Sequence, residues 1–167
     1  EGDFKAEHGS VKSSKFDELQ RQVKEEKLLE DAAAQLNKAL ALPDNITLRA
    51  EECGETNAFY DPNGPAITMC YELMEHFYLT FRSTGLAEQK AYDKMFAATR
   101  FVFLHEVGHA LIDKYKLPVT GSEEDSADHL SAFINLEELG QSGVDACFAS
   151  ADLFKISSKM AKTTSAD

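Results

Sequence analysis

The run FVFLHEVGHALI, residues 101–112, constrains the fold more than any other part of the chain. Its apolar positions are too dense for a surface helix, so other elements must pack around it. Yet it carries His105, Glu106 and His109. A buried carboxylate without compensation costs several kcal/mol, and buried imidazoles also need partners. The fold must therefore bring compensating groups to this segment. Either three polar side chains each find a hydrogen-bond partner, or one bound cation satisfies all three.

The spacing favours the cation. His105-Glu106-Val107-Gly108-His109 reads H-E-x-x-H, and residues four apart on a helix lie one turn apart on the same face. Both imidazoles can then reach one ion, and neutral imidazole suits zinc. One Zn2+ per chain is the expected cofactor. Glu106 is rotated off that face, where it can meet a water held at the ion and act as its general base. Gly108 has no side chain and can let a neighbouring element pack close.

A catalytic zinc site takes three protein ligands and keeps a fourth position open. The metzincin extension, which would place a Gly and a third His downstream, is absent: Ile112 and Tyr115 stand there. The segment GSEEDSADHL follows instead. Glu124 and Asp128 are four apart on the next expected helix, so they share a face. Glu124 would complete a His/His/Glu set, with Asp128 accepting the outward N–H of a ligand histidine. Asp125 is the rival ligand, because G-S-E-E-D half-fits an aspartate-ligand spacing, and Glu123 is a third candidate. An acidic first turn is also favoured by the helix dipole alone.

Elsewhere the chain reads as scaffold. Residues 1–14 are polar and contain Gly and Ser, which suggests a flexible arm; residues 15–160 form a single domain and 161–167 a polar tail. An amphipathic helix is expected from Phe16 to Leu42, stopped by Pro43-Asp44-Asn45. ITLRAEE reads as a strand, and NAFYDPNGPAITMC as a hairpin turning at Asp61-Pro62-Asn63-Gly64. Helices follow over Tyr71–Arg82, over Glu88–Lys116, and from an N-cap at Ser122 to Leu139. Gly140 and Gly143 close the last of these before a final helix over Val144–Met160. The outline is α+β: a small sheet with an edge-strand hairpin packed against a helical bundle.

A formal charge of −12 argues against nucleic acid or an anionic membrane as the main partner. No apolar stretch approaches the roughly 18–20 residues that span a bilayer. The opening EGDFKAEHGS has no basic segment followed by an apolar one, so any secretory signal has been removed or never existed. Of the three cysteines, Cys53 and Cys70 flank the hairpin and can lie opposite each other, which makes a disulfide geometrically open to them. One such pair plus Cys147 as a buried thiol fits an exported protein; three free thiols fit a cytoplasmic one.

These residues resemble a gluzincin metallopeptidase of the thermolysin-like clan. HExxH at His105–His109 is followed by E-x-x-x-D at Glu124–Asp128, and Asn57-Ala58-Phe59-Tyr60 is similar to that clan's N-A-F-[WY] edge strand. The stretches CGETNAFYDP, ITMCYEL, HEVGHALID and EEDSAD more closely resemble a bacterial family of metallopeptidase-like domains whose function is not established. That resemblance covers roughly residues 45–140. It implies a minimal zincin fold in an exported protein, periplasmic or secreted. It also implies a peptide substrate bound as an added strand, with the carbonyls of Asn57 and Ala58 holding it extended.

The expected function is a zinc-dependent endopeptidase in which Glu106 moves the proton. Two alternatives stand beside it. A zinc-binding interaction domain with little peptidase activity is suggested by the absence of a large lobe after the glutamate helix and of an assigned transition-state donor. A metal-dependent amidase acting on a non-protein substrate is the other.

Overall fold

A computed structural model describes residues 1–164 of the chain as an α+β fold with one small mixed sheet. In chain order its elements are β1 (Phe4–His8), α1 (Asp17–Glu25), α2 (Leu28–Ala39), β2 (Ile46–Glu51), β3 (Ala58–Asp61), β4 (Ala66–Cys70), α3 (Tyr71–Arg82), α4 (Glu88–Tyr115), α5 (Glu123–Glu138) and α6 (Gly140–Thr164). The apolar run lies in the second half of α4. It is buried from Phe103 and Leu104 through Val107 to Leu111, and α4 packs against α3, α5, α6 and the sheet. Enclosure on several sides is why the segment shows no polar face of its own.

The sheet order is β1-β2-β4-β3, with β1, β2 and β4 parallel and β3 antiparallel at one edge. Every residue of β4 is buried, as befits a strand covered on both faces. β2 alternates, with Ile46, Leu48 and Ala50 turned to the core. The hairpin turn holds because Asp61 Oδ1 accepts the Asn63 N–H at 2.9 Å. These features together form a minimal zincin-like frame: a small sheet ending in an antiparallel edge strand, laid against the HExxH helix.

The first residues are not a loose arm. Phe4 is buried, β1 pairs in parallel with β2, and Asn37 clamps Phe4 from both sides, its Oδ1 accepting the Phe4 N–H and its Nδ2 donating to the Phe4 carbonyl. The strand escapes a sequence reading because Lys5, Ala6 and Glu7 are all exposed. One anchor residue leaves no alternation to detect. His8 is half-buried at the end of this strand and pairs with Glu30 at 2.7 Å.

The single helix expected over 16–42 is also two helices, preceded by a 3-10 turn at Ser14–Phe16. Lys27 breaks the run in the left-handed region (φ 50°, ψ 37°). The break has a packing cause. Val23 and Leu29 are both fully buried, but six residues along one ideal helix would point them about 120° apart.

At the other end, Gly140 (φ +55°) makes the joint between α5 and α6, but Gly143 does not stop a helix. It lies inside α6, where a Cβ would fall 1.7 Å from the Asn135 carbonyl oxygen, so it is a close-packing position. Ser122 precedes α5 as expected, yet its side chain makes no capping bond; its carbonyl accepts the Ser126 N–H instead. The polar tail expected from 161 is helical through Thr164, and residues 165–167 lie outside the described residues. Among the described residues no helix is long and apolar enough to cross a membrane.

Cys53 and Cys70 are joined in a disulfide, Cα–Cα 5.4 Å, at the base of the hairpin. Glu72 reinforces that base: its carboxylate accepts the N–H groups of Cys53 (3.1 Å) and Gly54 (2.6 Å). The bridge closes a loop with a sequence separation of 17, for which chain entropy gives about 3 kcal/mol. Urea unfolding with and without a reductant should show a loss of that size. A reduced protein as stable as the oxidised one would contradict it.

Candidate metal centre

The centre forms where α5 crosses α4, and the crossing depends on Gly108. A Cβ at that position would lie 2.9 Å from the Ala127 Cα and 3.2 Å from its Cβ. Only a glycine facing a small residue lets the backbones come this close. The approach sets the first turns of α5 directly over the two histidines.

His105 and His109 turn their Nε2 atoms toward each other at 3.1 Å. Glu124 lies across both, with Oε2 at 3.1 Å from His105 Nε2 and Oε1 at 3.3 Å from His109 Nε2. Behind the rings, His105 Nδ1 is 2.8 Å from Asp128 Oδ1 and His109 Nδ1 is 2.7 Å from Glu123 Oε1. A carboxylate can only accept, so each Nδ1 carries the hydrogen. In a neutral ring so held, the Nε2 lone pair is the one free to meet a metal ion. Asp125 is exposed and does not reach the histidines.

Four ligands arranged tetrahedrally at about 2.0–2.1 Å from one ion sit about 3.3 Å from each other. The Nε2–Nε2 separation of 3.1 Å is close to that value, while Glu124 faces the two rings with different oxygens, and taking one atom from each residue the three donors lie within 4.8 Å of one another. His105, His109 and Glu124 thus form a set that could hold a metal ion, with room for a further ligand on the open side. Their chemistry fits a borderline cation: two imidazoles and one carboxylate.

Glu106 points beside this set from the same turn of α4 and is buried. Burial pushes its carboxyl above the usual range, while the two imidazoles and the Tyr60 main-chain N–H draw it back down. For His109, burial opposes the charge, but the Glu123 hydrogen bond and the charges of Glu106 and Glu124 outweigh it and hold the ring above its ordinary value. Four carboxylates around two imidazoles make the surroundings receptive to positive charge.

The edge strand β3 borders the cleft. Asn57 accepts the Cys70 N–H through its carbonyl at 3.1 Å, so Asn57, Phe59 and Asp61 turn their main-chain groups to β4, while Ala58 and Tyr60 face the free edge. The Asn57 carbonyl thus already accepts one hydrogen bond from the sheet. Ala58 has outward main-chain groups, and the Asn57 side chain lines the cavity beside the histidines. The Tyr60 hydroxyl donates to Asp113 at 2.8 Å.

A scan of protein families matches residues 9–167 to the family model DUF4344, described as "Putative metallopeptidase". The chain belongs to that family. No curated protein and no solved structure matches it. Membership of this metallopeptidase family implies a metal ion, and the set on α4 and α5 has the geometry for one.

Several site residues are not visible from spacing. Glu123 stands next to Glu124 and reads as a competing ligand, whereas it braces His109. Asp113 holds Tyr60 from one turn past the motif. Ser150, Leu153 and Phe154 reach the site from α6 and carry no motif. His129 and His76 are exposed and stand apart from it.

Replacing Gly108 by Ala should force α5 away from α4. A loss of about 1–3 kcal/mol in unfolding free energy is expected, measurable by denaturant titration. A neutral effect would mean that the crossing relaxes without strain.

Proposed function

We propose that the chain is a zinc-dependent endopeptidase. The observation that carries this reading is the convergence of His105 Nε2, His109 Nε2 and the Glu124 carboxylate within 4.8 Å of one another, with Glu106 buried alongside. Zinc, when bound, supplies the Lewis acidity that brings the pKa of water toward about 7 and polarises a carbonyl. His105 and His109 would hold it through Nε2, oriented by Asp128 and Glu123, and Glu124 would provide the third donor.

Glu106 is the proton carrier. Its carboxylate takes a proton from the attacking water, and the same oxygen returns it to the amine that leaves. The Tyr60 N–H keeps that carboxylate facing the cleft. The substrate lies along the free edge of β3 as an added strand, hydrogen-bonded to the main chain of Ala58. The disulfide at Cys53–Cys70 supports an exported protein, since such bonds persist in oxidising compartments.

Zinc content and cleavage of a mixed peptide library test the reading. Glu106→Gln should keep zinc and lose about 10²–10⁴-fold in cleavage rate. Glu124→Ala should lose tight zinc binding. Protein that holds no zinc after gentle purification would defeat the metal assignment. Zinc-loaded protein that cleaves no peptide would leave an interaction domain, or an amidase on a non-protein substrate, as the better description.

Removal of a brace gives a finer check. Asp128→Ala and Glu123→Ala should each weaken zinc binding about 10–100-fold while leaving the ligand set complete. Competition with a chromogenic chelator reads this directly. Unchanged affinity in both would mean that the imidazoles are oriented by the helix alone.

A further inference from the structure

A cavity of about 290 Å³ lies between α2, α4 and α5, and it shares no lining residue with the two cavities beside the metal centre. Phe96, Arg100, Phe103 and Leu104 line it from α4. At 100° per residue they point to the side of that helix opposite His105 and His109. Leu36 and Ile134 add apolar wall from α2 and α5. A mainly apolar interior with a few polar groups at its edge is the pattern of a small-molecule site, and this one is at the small end of the range.

Two charged groups at the edge lack partners. Arg100 is half-buried. Its Nη1 reaches the Ser142 carbonyl at 3.4 Å, long for such a bond, and no carboxylate among the described residues pairs with the guanidinium. Burial draws the Arg100 pKa down against the charges of Asp145 and Asp31. Asp31 lines the same cavity and is exposed, and among the described residues its carboxylate makes no hydrogen bond or ion pair. The two charges are near enough to act on one another and too far apart to pair.

We propose that this cavity binds a free α-amino acid with a large apolar side chain, of the leucine or phenylalanine type. Arg100 takes the carboxylate, Asp31 takes the ammonium group, and the side chain fills the interior. Charge decides among the ligand classes. A fatty acid would satisfy Arg100, but Glu26, Asp31 and Glu138 line the same cavity and repel a plain anion. An alkyl amine would suit those carboxylates and set a like charge against Arg100. A neutral apolar molecule would leave the guanidinium short of acceptors. A zwitterion that carries both charges beside its apolar group meets all three demands, and guanidinium can hold its carboxylate through two parallel hydrogen bonds. The site does not involve the metal, so the inference is independent of the peptidase reading.

Titration calorimetry on the full chain tests it with L-leucine, L-leucinamide, N-acetyl-L-leucine and L-alanine. Leucine should bind saturably. Leucinamide, which lacks the carboxylate, and N-acetyl-leucine, which lacks the ammonium group, should each bind about 10–100-fold more weakly, the size of one charged hydrogen bond. Alanine should bind at least about tenfold more weakly, because it leaves the apolar interior unfilled. Arg100→Gln should erase the preference for leucine over leucinamide, and Asp31→Asn the preference for leucine over N-acetyl-leucine.

Absence of leucine binding overturns the proposal. So does leucinamide or N-acetyl-leucine bound as tightly as leucine, since one of the two charges is then unused. Leucine binding that neither variant weakens lies elsewhere, at the metal centre for instance, and overturns it as well. Should Arg100→Gln fail to fold, the ligand series on the native chain and the exposed Asp31→Asn position decide the matter.

Discussion

The contact between Gly108 and Ala127 is the constraint on which the site depends. Helices that cross through ordinary side chains keep their axes 8–10 Å apart. With no Cβ on one side and only a methyl on the other, α5 settles closer, and short carboxylates can then reach imidazoles on α4. The arrangement is economical in sequence. Gly108 lies between His105 and His109, and Ala127 directly precedes Asp128, so the closest approach coincides with the donors that must meet. Folding of this crossing and assembly of the centre are one event. An ion bound there stabilises the native chain by mass action and couples metal affinity to the packing beneath it.

A second dependence runs through the hairpin. β3 can border the cleft only if it stays at a fixed height above α4, yet it is a short edge strand of half-buried residues with little packing of its own. It is held at three points: by its ladder to β4, by the disulfide at its base, and by Glu72, which ties the start of α3 to the Cys53 and Gly54 amides. The Tyr60–Asp113 hydrogen bond adds a link to α4 itself. The outward main-chain groups of Ala58 are thereby presented by a rigid rim, which lowers the entropy lost when an extended chain is ordered against it.

What was legible in the sequence follows from periodicity. His105 with His109, and Glu124 with Asp128, are pairs at a spacing of four. On a helix that spacing has one geometric meaning, whatever the tertiary fold. The hairpin was legible because Asp-Pro-Asn-Gly permits few conformations. Features set by tertiary contact were not. β1 has one buried residue, and a strand cannot be read from that. The break at Lys27 reflects where Val23 and Leu29 must point, and local propensity does not encode it. Glu123 has the same charge and nearly the same position as Glu124; only the crossing angle of α5 decides which one faces the Nε2 atoms and which one a ring's far side.

The long final helix bears on how so small a frame can enclose a reacting bond. Among the described residues, one helix follows α5. That helix, α6, turns back at Gly140, its close fit to α5 permitted by Gly143, and packs along α4 until Ser150, Leu153 and Phe154 reach the side of the centre. A single helix forms one wall but not a roof, so the site keeps an open face, with one cavity on the β3 side and another on the α6 side. The Tyr60 phenol, which borders the cleft, is committed to Asp113. Under the peptidase reading proposed above, charge developing on a carbonyl oxygen would be met mainly by the ion, and bracing both imidazoles with carboxylates would keep that ion in place.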